Sequence, residues 1–239
     1  MLDRQFVFDL TEATVTTPFK VKFDLRRIDC WTLVETFLLD IHRDLEVRGR
    51  TVFDVGAQAG DTALYFSSNG ASKVYAVEPV QANYDAMLCN LELNPGLRGA
   101  VAPVKAAVGS TGKLTLEFTL GAGGLTGTAS GFAGRGLFTE EVESLSLGDL
   151  LSKLGLNSVD VLKMDCKGCE WLITANDLGR VNEAVKIEWT GGSEEKVSRL
   201  LKILTENSFK PRVYMHNPGW WGTLTEHGTV IAERSVPRV

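Results

Sequence analysis

The sequence predicts an α/β domain whose sheet is mostly parallel and covered by helices on both faces. Three observations carry that prediction. Short, nearly continuous apolar runs recur from Thr51 onward, separated by helix-length segments, which is how the strands of a doubly covered parallel sheet read. The first of them breaks into a glycine loop that opens a helix, Val55-Gly-Ala-Gln-Ala-Gly-Asp61, where such sheets take nucleotides. The chain closes on two strand-like runs, Arg212–His216 and Thr229–Glu233, with no helix-length segment between them. An antiparallel hairpin at the sheet edge is expected there.

Ahead of the main domain, residues 1–48 read as a small N-terminal elaboration. Gln5–Leu10 and Pro18–Asp24 are strand-like, and the second alternates apolar with charged residues as a half-exposed strand does. Ile28–Leu45 has the pattern of an amphipathic helix that stops before Gly49.

Residues 49–239 form the main domain. Thr51–Val55 is its first strand and Asp61–Ser68 its first helix, closed by Asn69-Gly70. Lys73–Glu78 is the next strand and Gln81–Leu93 the next helix, stopped by Asn94-Pro95-Gly96. Val101–Val108 reads as a third strand, and Lys113–Thr119 alternates like an edge strand or a hairpin arm. The glycine-dense stretch 121–136 reads as a flexible surface loop, with a substrate lid as the functional alternative. Val159–Asp165 and Val185–Trp189 are further strands with a helix between them. Ser193–Glu206 is a helix with a serine cap and Glu194–Glu195 in its first turn.

Composition bounds the function. With 44% hydrophobic residues in 239, the chain has material for a sizeable core. A formal net charge of -5 argues against a broad nucleic-acid surface, which is normally basic; a local basic patch for RNA is disfavoured and not excluded. No apolar run approaches the roughly 20 residues that span a bilayer, and the first ten residues place acids where a signal peptide has its basic and apolar regions. A cytoplasmic protein without membrane contact is expected. Nothing specifies an oligomeric state.

The four cysteines, Cys30, Cys89, Cys166 and Cys169, fit reduced thiols in that compartment. Cys166-Lys-Gly-Cys169 has redox or zinc spacing, but zinc needs four ligands and no second pair or suitably spaced histidines exist. Packing cysteines and no metal are expected.

The glycine loop carries the cofactor reading. A dinucleotide fold asks for G-x-G-x-x-G, whereas here the spacing is G-x-x-x-G, with Gly56, Gly60, and carboxylates at Asp54 and Asp61. Carboxylates at a helix start repel a pyrophosphate and suit a ligand with an amine and a sulfonium. The next strand ends in Glu78-Pro79, about 22 residues after Gly56, where an acid grips ribose hydroxyls. Together these select S-adenosyl-L-methionine over NAD.

Val52–Thr62, Gly70–Pro79, Asn90-Leu-Glu-Leu-Asn94 and Asp160-Val-Leu-Lys-Met-Asp-Cys-Lys-Gly-Cys-Glu170, taken in order, resemble the successive motifs of FkbM-type methyltransferases over roughly residues 50–190. The resemblance implies a Rossmann-like class I methyltransferase fold: a mostly parallel seven-stranded sheet with an antiparallel C-terminal edge hairpin. It implies methyl transfer from S-adenosylmethionine to a hydroxyl of a sugar or small metabolite, so a small-molecule or glycan acceptor. Carried over, Asp54, Gly56, Gly60 and Asp61 line the methionine end, Gln58 stands where Asn is usual, Glu78 holds the ribose, and Ala107 falls beside the adenine. Lys167 departs from the family, where that position is often acidic. An RNA methyltransferase and a cofactor-binding module without turnover are the alternatives.

Asp165 ends the strand beside the transferable methyl and is the first candidate for general base; it is equally suited to cap the helix near Gly168. His216 titrates near neutrality and is a second candidate, beside Trp220 and Trp221, which either stack on a sugar or close the hairpin. Glu188 ends another strand with the same credentials, and Glu170 is placed to brace the cofactor loop. In-line methyl transfer draws much of its rate from positioning, so an obvious base is not required.

Overall fold

The computed structural model describes residues 5–118, 138–214 and 226–235. Three short antiparallel strands begin it: β1 (Val7–Asp9), β2 (Thr14–Thr16) and β3 (Lys22–Asp24). The helix expected over Ile28–Leu45 is far shorter. It consists of α1 (Cys30–Leu33), capped by Asp29, and one π-helical turn, Val34–Leu38. Asp40 then takes φ +56°, a conformation that ends a helix. Tertiary contacts hold it there: the Tyr65 hydroxyl donates to Asp40 at 2.6 Å.

The main sheet is built from β4 (Thr51–Val55), β5 (Lys73–Val77), β6 (Val101–Val104), β10 (Val159–Met164), β11 (Val181–Thr190), β12 (Phe209–Tyr214) and β13 (His227–Arg234), in the order β12-β13-β11-β10-β4-β5-β6. The strands from β11 to β6 run parallel, and β13 is antiparallel to both β11 and β12. The late hairpin is therefore present at one edge. Both edges carry a proline, Pro103 in β6 and Pro211 in β12, tolerated because an edge strand has a free side.

Between β4 and β5, α2 (Asp61–Ser68) ends as expected at Asn69-Gly70. Gly70 takes φ +91°, and the Ala71 and Gly70 amides donate to the Phe66 and Ser67 carbonyls, the paired bonds of a Schellman stop. Between β5 and β6 lie α3 (Gln81–Glu92) and the single turn α4 (Pro95–Arg98). The expected third strand splits after Val104: Ala107–Val108 forms β7 of a separate small sheet, ordered β7-β9-β8, with β8 (Gly112–Phe118) and β9 (Phe138–Leu145). The arm at Lys113–Thr119 thus pairs away from the main sheet.

Ser146 caps a further helix, α5 (Leu147–Lys153), which was not among the expected elements. Between β10 and β11 there is only a 3-10 turn, Cys169–Leu172, and α6 (Ala175–Leu178). The helix α7 (Glu194–Glu206) follows β11 and is capped by Ser193, as expected.

The sheet separates two apolar layers. On one face, Val52, Val161 and Ala184 pack with α2, α3 and the N-terminal residues Val15, Phe23 and Phe37. On the other, Phe53, Leu162, Val185 and Trp189 pack with α5 and α7. Asn90 of α3 and Asn94, which precedes α4, join the N-terminal strands to the sheet. Asn94 exchanges two hydrogen bonds with the Lys22 backbone, at 2.9 and 2.7 Å. Asn90 accepts from the Asp24 amide at 3.0 Å and donates to the Ala59 carbonyl at 2.9 Å. These side chains pair the backbone of β3 and of the glycine loop at once.

No helix among the described residues is long and apolar enough to cross a membrane.

Candidate active site

Strands that are otherwise apolar carry charges in register at their carboxyl ends. Asp54 on β4, Lys163 on β10 and Lys186 on β11 lie side by side, and successive side chains alternate faces, so all three share the face toward α2. Two residues further along, Gly56, Asp165 and Glu188 follow on the same face. A cleft opens over these two rows. Thr32, Glu35, Thr36, Ile41 and His42 of the N-terminal segment close its other side.

The loop after β4 is shaped by backbone constraints. Gly56 takes φ +80°, and a Cβ there would stand 2.0 Å from the Asp165 carbonyl oxygen. A side chain would force the two loops apart. Gly60 takes φ +84°, and its Cβ would meet Met87 of α3 at 2.9 Å, so its closeness serves helix packing. Gln58 adopts φ +46°; its amide donates to Glu78 at 2.9 Å, and Thr32 lies 3.4 Å from its side-chain oxygen.

Asp54 does not reach the cleft. It is fully buried, receives the Thr62 hydroxyl at 2.5 Å, and pairs with Lys163 at 3.0 Å. Lys163 also donates to the Gly56 carbonyl at 2.9 Å. Burial works against its charge, yet the carboxylates of Asp54, Asp165 and Asp61 outweigh that and hold its ammonium above the usual lysine range. Asp61 does line the cleft. Burial raises its carboxyl to about 7 against the pull of Lys163 and a 2.9 Å bond from the Thr36 hydroxyl.

At the tip of β5, Glu78 is buried and accepts from the Val80 amide, the Gln58 amide and the Asn83 side chain at 2.9, 2.9 and 3.3 Å. Burial lifts its carboxyl while those three bonds oppose the shift. It therefore knits the glycine loop to the start of α3. The Pro79 carbonyl accepts from Lys105, and Ala107 is buried with Val80, Leu116 and Val142 in a small apolar cluster.

Asp165 does not cap a helix. Its Oδ1 lies 2.5 Å from Lys167 Nζ, which also reaches Glu188 at 3.5 Å. Lys167 takes φ +54°, a bend that turns its side chain back over the strand ends. Burial opposes its charge, but Asp165 and Glu188 prevail and raise it. The residue that departs from the family pattern thus neutralises both acids at the cleft mouth.

Cys166 and Cys169 are joined by a disulfide, Cα to Cα 5.6 Å, where reduced packing cysteines were expected; Cys30 and Cys89 are free. The turn at Lys167-Gly168, with both residues at positive φ, brings the two cysteines together. Their sulfurs and the Glu170 carboxylate lie within 4.8 Å of one another, but bonded sulfurs lack the thiolate charge that a metal needs. Glu170 is fully buried and accepts from the Gly168 amide at 2.7 Å, bracing the disulfide turn and not the cofactor loop. His216, Trp220, Trp221 and the 121–136 stretch lie outside the described residues.

The cofactor motifs include Lys163 without giving it a part, and none of them includes Lys186, His42 or Thr36. The signal for the lysines was present: a cation inside a continuous apolar strand needs a partner. Burial of His42 and Thr36 against the sheet had no such signal.

Several solved structures share the fold. TYW2 of M. jannaschii in complex with AdoMet has a TM-score of 0.53 at 12% identity, covering 96% of this chain and 84% of that one. A putative rRNA-methylase from Clostridium thermocellum has a TM-score of 0.51 at 11% identity, covering 82% and 93%. Aeropyrum pernix fibrillarin with natively bound S-adenosyl-L-methionine has 0.50 at 15%, covering 82% and 71%. At such identities the likeness is one of fold. No curated protein matches the sequence. The model of the methyltransferase FkbM domain matches residues 54–211, spanning the glycine loop, both lysines and the disulfide turn, and the chain belongs to that family.

Proposed function

We propose that this methyltransferase uses S-adenosyl-L-methionine to methylate a hydroxyl of a sugar or small metabolite. The single observation behind the reading is the cleft over β4, β10 and β11, where Asp61, Asp165 and Glu188 face Lys163, Lys186 and the Thr32 and Thr36 hydroxyls. Closely set donors and acceptors suit an acceptor rich in hydroxyls.

The residues fit the cofactor chemically. Asp61, buried at the cleft edge, gains its charge beside a cationic amine. Glu78 has about four acceptor sites and three donors upon it, which leaves one for a ribose hydroxyl. Gly56 and Gln58 present the loop, and Pro79 and Ala107 adjoin the adenine side. Asp54 and Gly60 act from behind, holding the loop. When bound, the sulfonium supplies an electrophilic methyl group; the chain's own part is to orient the acceptor and take its proton.

Calorimetric titration with S-adenosylmethionine, S-adenosylhomocysteine and NADH tests the donor. Transfer of radiolabelled methyl into monosaccharide, phenol and bulk tRNA pools tests the acceptor. Binding of the first two ligands with label in a hydroxylated small molecule is expected. Binding of NADH alone, or label in tRNA, overturns the reading.

A further inference from the structure

We propose that Lys186 is the general base of the methyl transfer, taking the proton of the acceptor hydroxyl, with His42 as its positioning residue. The proposal rests on the hydroxyl-directed reading above. Lys186 is 1% exposed and lies on the cleft floor, one row beneath Asp165 and Glu188. Among the described residues its nitrogen has two hydrogen-bond partners: the Ile41 carbonyl oxygen, and Nδ1 of His42 at 3.1 Å.

That geometry suits a neutral amine. An amine has two N–H bonds and one lone pair. Donating to Ile41 and to His42 Nδ1 uses both hydrogens, and the lone pair is left on the remaining, cleft side. His42 then carries its own proton on Nε2, as a ring accepting at Nδ1 must. An ammonium would instead aim a third N–H into the cleft, where burial makes charge costly and Glu188 and Asp165 offset only part of that cost.

The surroundings agree. Burial is the largest influence on Lys186 and lowers it, and the neighbouring Lys163 lowers it further. Glu188 and Asp165 on the sheet and Asp44 on the N-terminal segment pull the other way, and the net position is about 8. An amine there is partly neutral at physiological pH, as a general base needs to be. Asp165 is less well placed, since its Oδ1 is already held by Lys167 at 2.5 Å.

In the step itself, the acceptor oxygen attacks the sulfonium methyl carbon. The O–C bond forms as the C–S bond breaks, with its electron pair going to sulfur. The hydroxyl proton passes to Lys186 Nζ, and the ammonium so formed keeps Ile41 and His42 as partners.

The test reads the lysine directly, without an acceptor. Protein carrying 13C at its lysine ε carbons is titrated by NMR, with and without S-adenosylhomocysteine, and Lys186→Met identifies the resonance. One lysine titrating about two units below the ordinary range is expected, and His42→Gln should move it. Titration in the ordinary range overturns the proposal. With a methylated acceptor in hand, Lys186→Met should bind S-adenosylhomocysteine as wild type does yet turn over about 100-fold more slowly or worse. Lys186→Arg, which keeps the charge, should not rescue it. Undiminished turnover in Lys186→Met also overturns the proposal. Failure of wild type to bind S-adenosylhomocysteine would instead remove the methyl-donor reading, and this proposal with it.

Discussion

Lys163 lies 3.0 Å from Asp54 and donates at 2.9 Å to the carbonyl of Gly56, with both side chains shut away from solvent. One buried ammonium on β10 therefore ties the end of β4 to the glycine loop from beneath. Asp54 also takes the Thr62 hydroxyl, so the loop is fastened at its start by Lys163 and at its end by Asp54. A buried charge is tolerable when paired and hydrogen-bonded, and costly when its partner is removed.

Lys163→Met should therefore destabilise the domain by about 3–5 kcal/mol, because Asp54 is left charged and alone. Adding Asp54→Asn, which keeps an acceptor for Thr62, should restore part of that loss. Urea unfolding of the two variants decides it: Lys163→Met as stable as wild type would show that the pair does not hold the loop.

Gly56→Ala and Gly155→Ala separate backbone strain from collision. Both glycines have similar positive φ, +80° and +73°, but Gly155 faces open space while Gly56 faces the Asp165 carbonyl. Gly155→Ala should cost about 1–2 kcal/mol from conformation alone. Gly56→Ala should cost about 2–5 kcal/mol, the clash being added, and should abolish S-adenosylhomocysteine binding. Equal melting temperatures for the two would contradict the loop contact.

Asp61 should make stability depend on pH in a defined direction. Its carboxyl is raised in the fold from 3.8 to about 7 by burial, so the native state holds the proton more tightly. The stability this contributes is present below 3.8 and is lost as pH rises to about 7. The full span is about 4 kcal/mol. Asp61→Asn should remove it, so its stability relative to wild type should climb over that window and level off above it. Binding a cationic amine beside Asp61 should release a proton below neutrality, read as buffer-dependent calorimetric enthalpy. A stability difference that is flat with pH would dismiss the buried carboxyl as its source.

Alkylation of the unfolded, unreduced chain should label Cys30 and Cys89 only, with Cys166 and Cys169 labelled after reduction. Mass spectrometry counts the labels. Four labels without reductant would mean that the turn carries free thiols.

Much of the frame was legible in the residues. Thr51–Val55, the glycine loop, Asp61–Ser68 and its Asn69-Gly70 stop, and the capped helix at Ser193 all lie where local pattern put them. In each, a cap, a turn residue or an apolar run acts within a few residues of itself. The N-terminal helix is shorter than its pattern because its outcome is settled elsewhere: Asp40 turns the chain to meet Tyr65, the amphipathic pattern over Ile28–Leu45 notwithstanding. The third strand divided because Ala107–Val108 found a partner in β9, which nothing local announces.

By itself, the sequence determined the parallel α/β frame, the glycine loop and the acid at the tip of the second main strand, since these follow from periodicity and short-range backbone preference. Only the tertiary structure decided which charges meet. Register across three strands set Asp54, Lys163 and Lys186 side by side, and the folded-back N-terminal segment placed Ile41 and His42 against Lys186. A side chain's charge state depends on burial and on neighbours more than a hundred residues away. No local pattern contains that information.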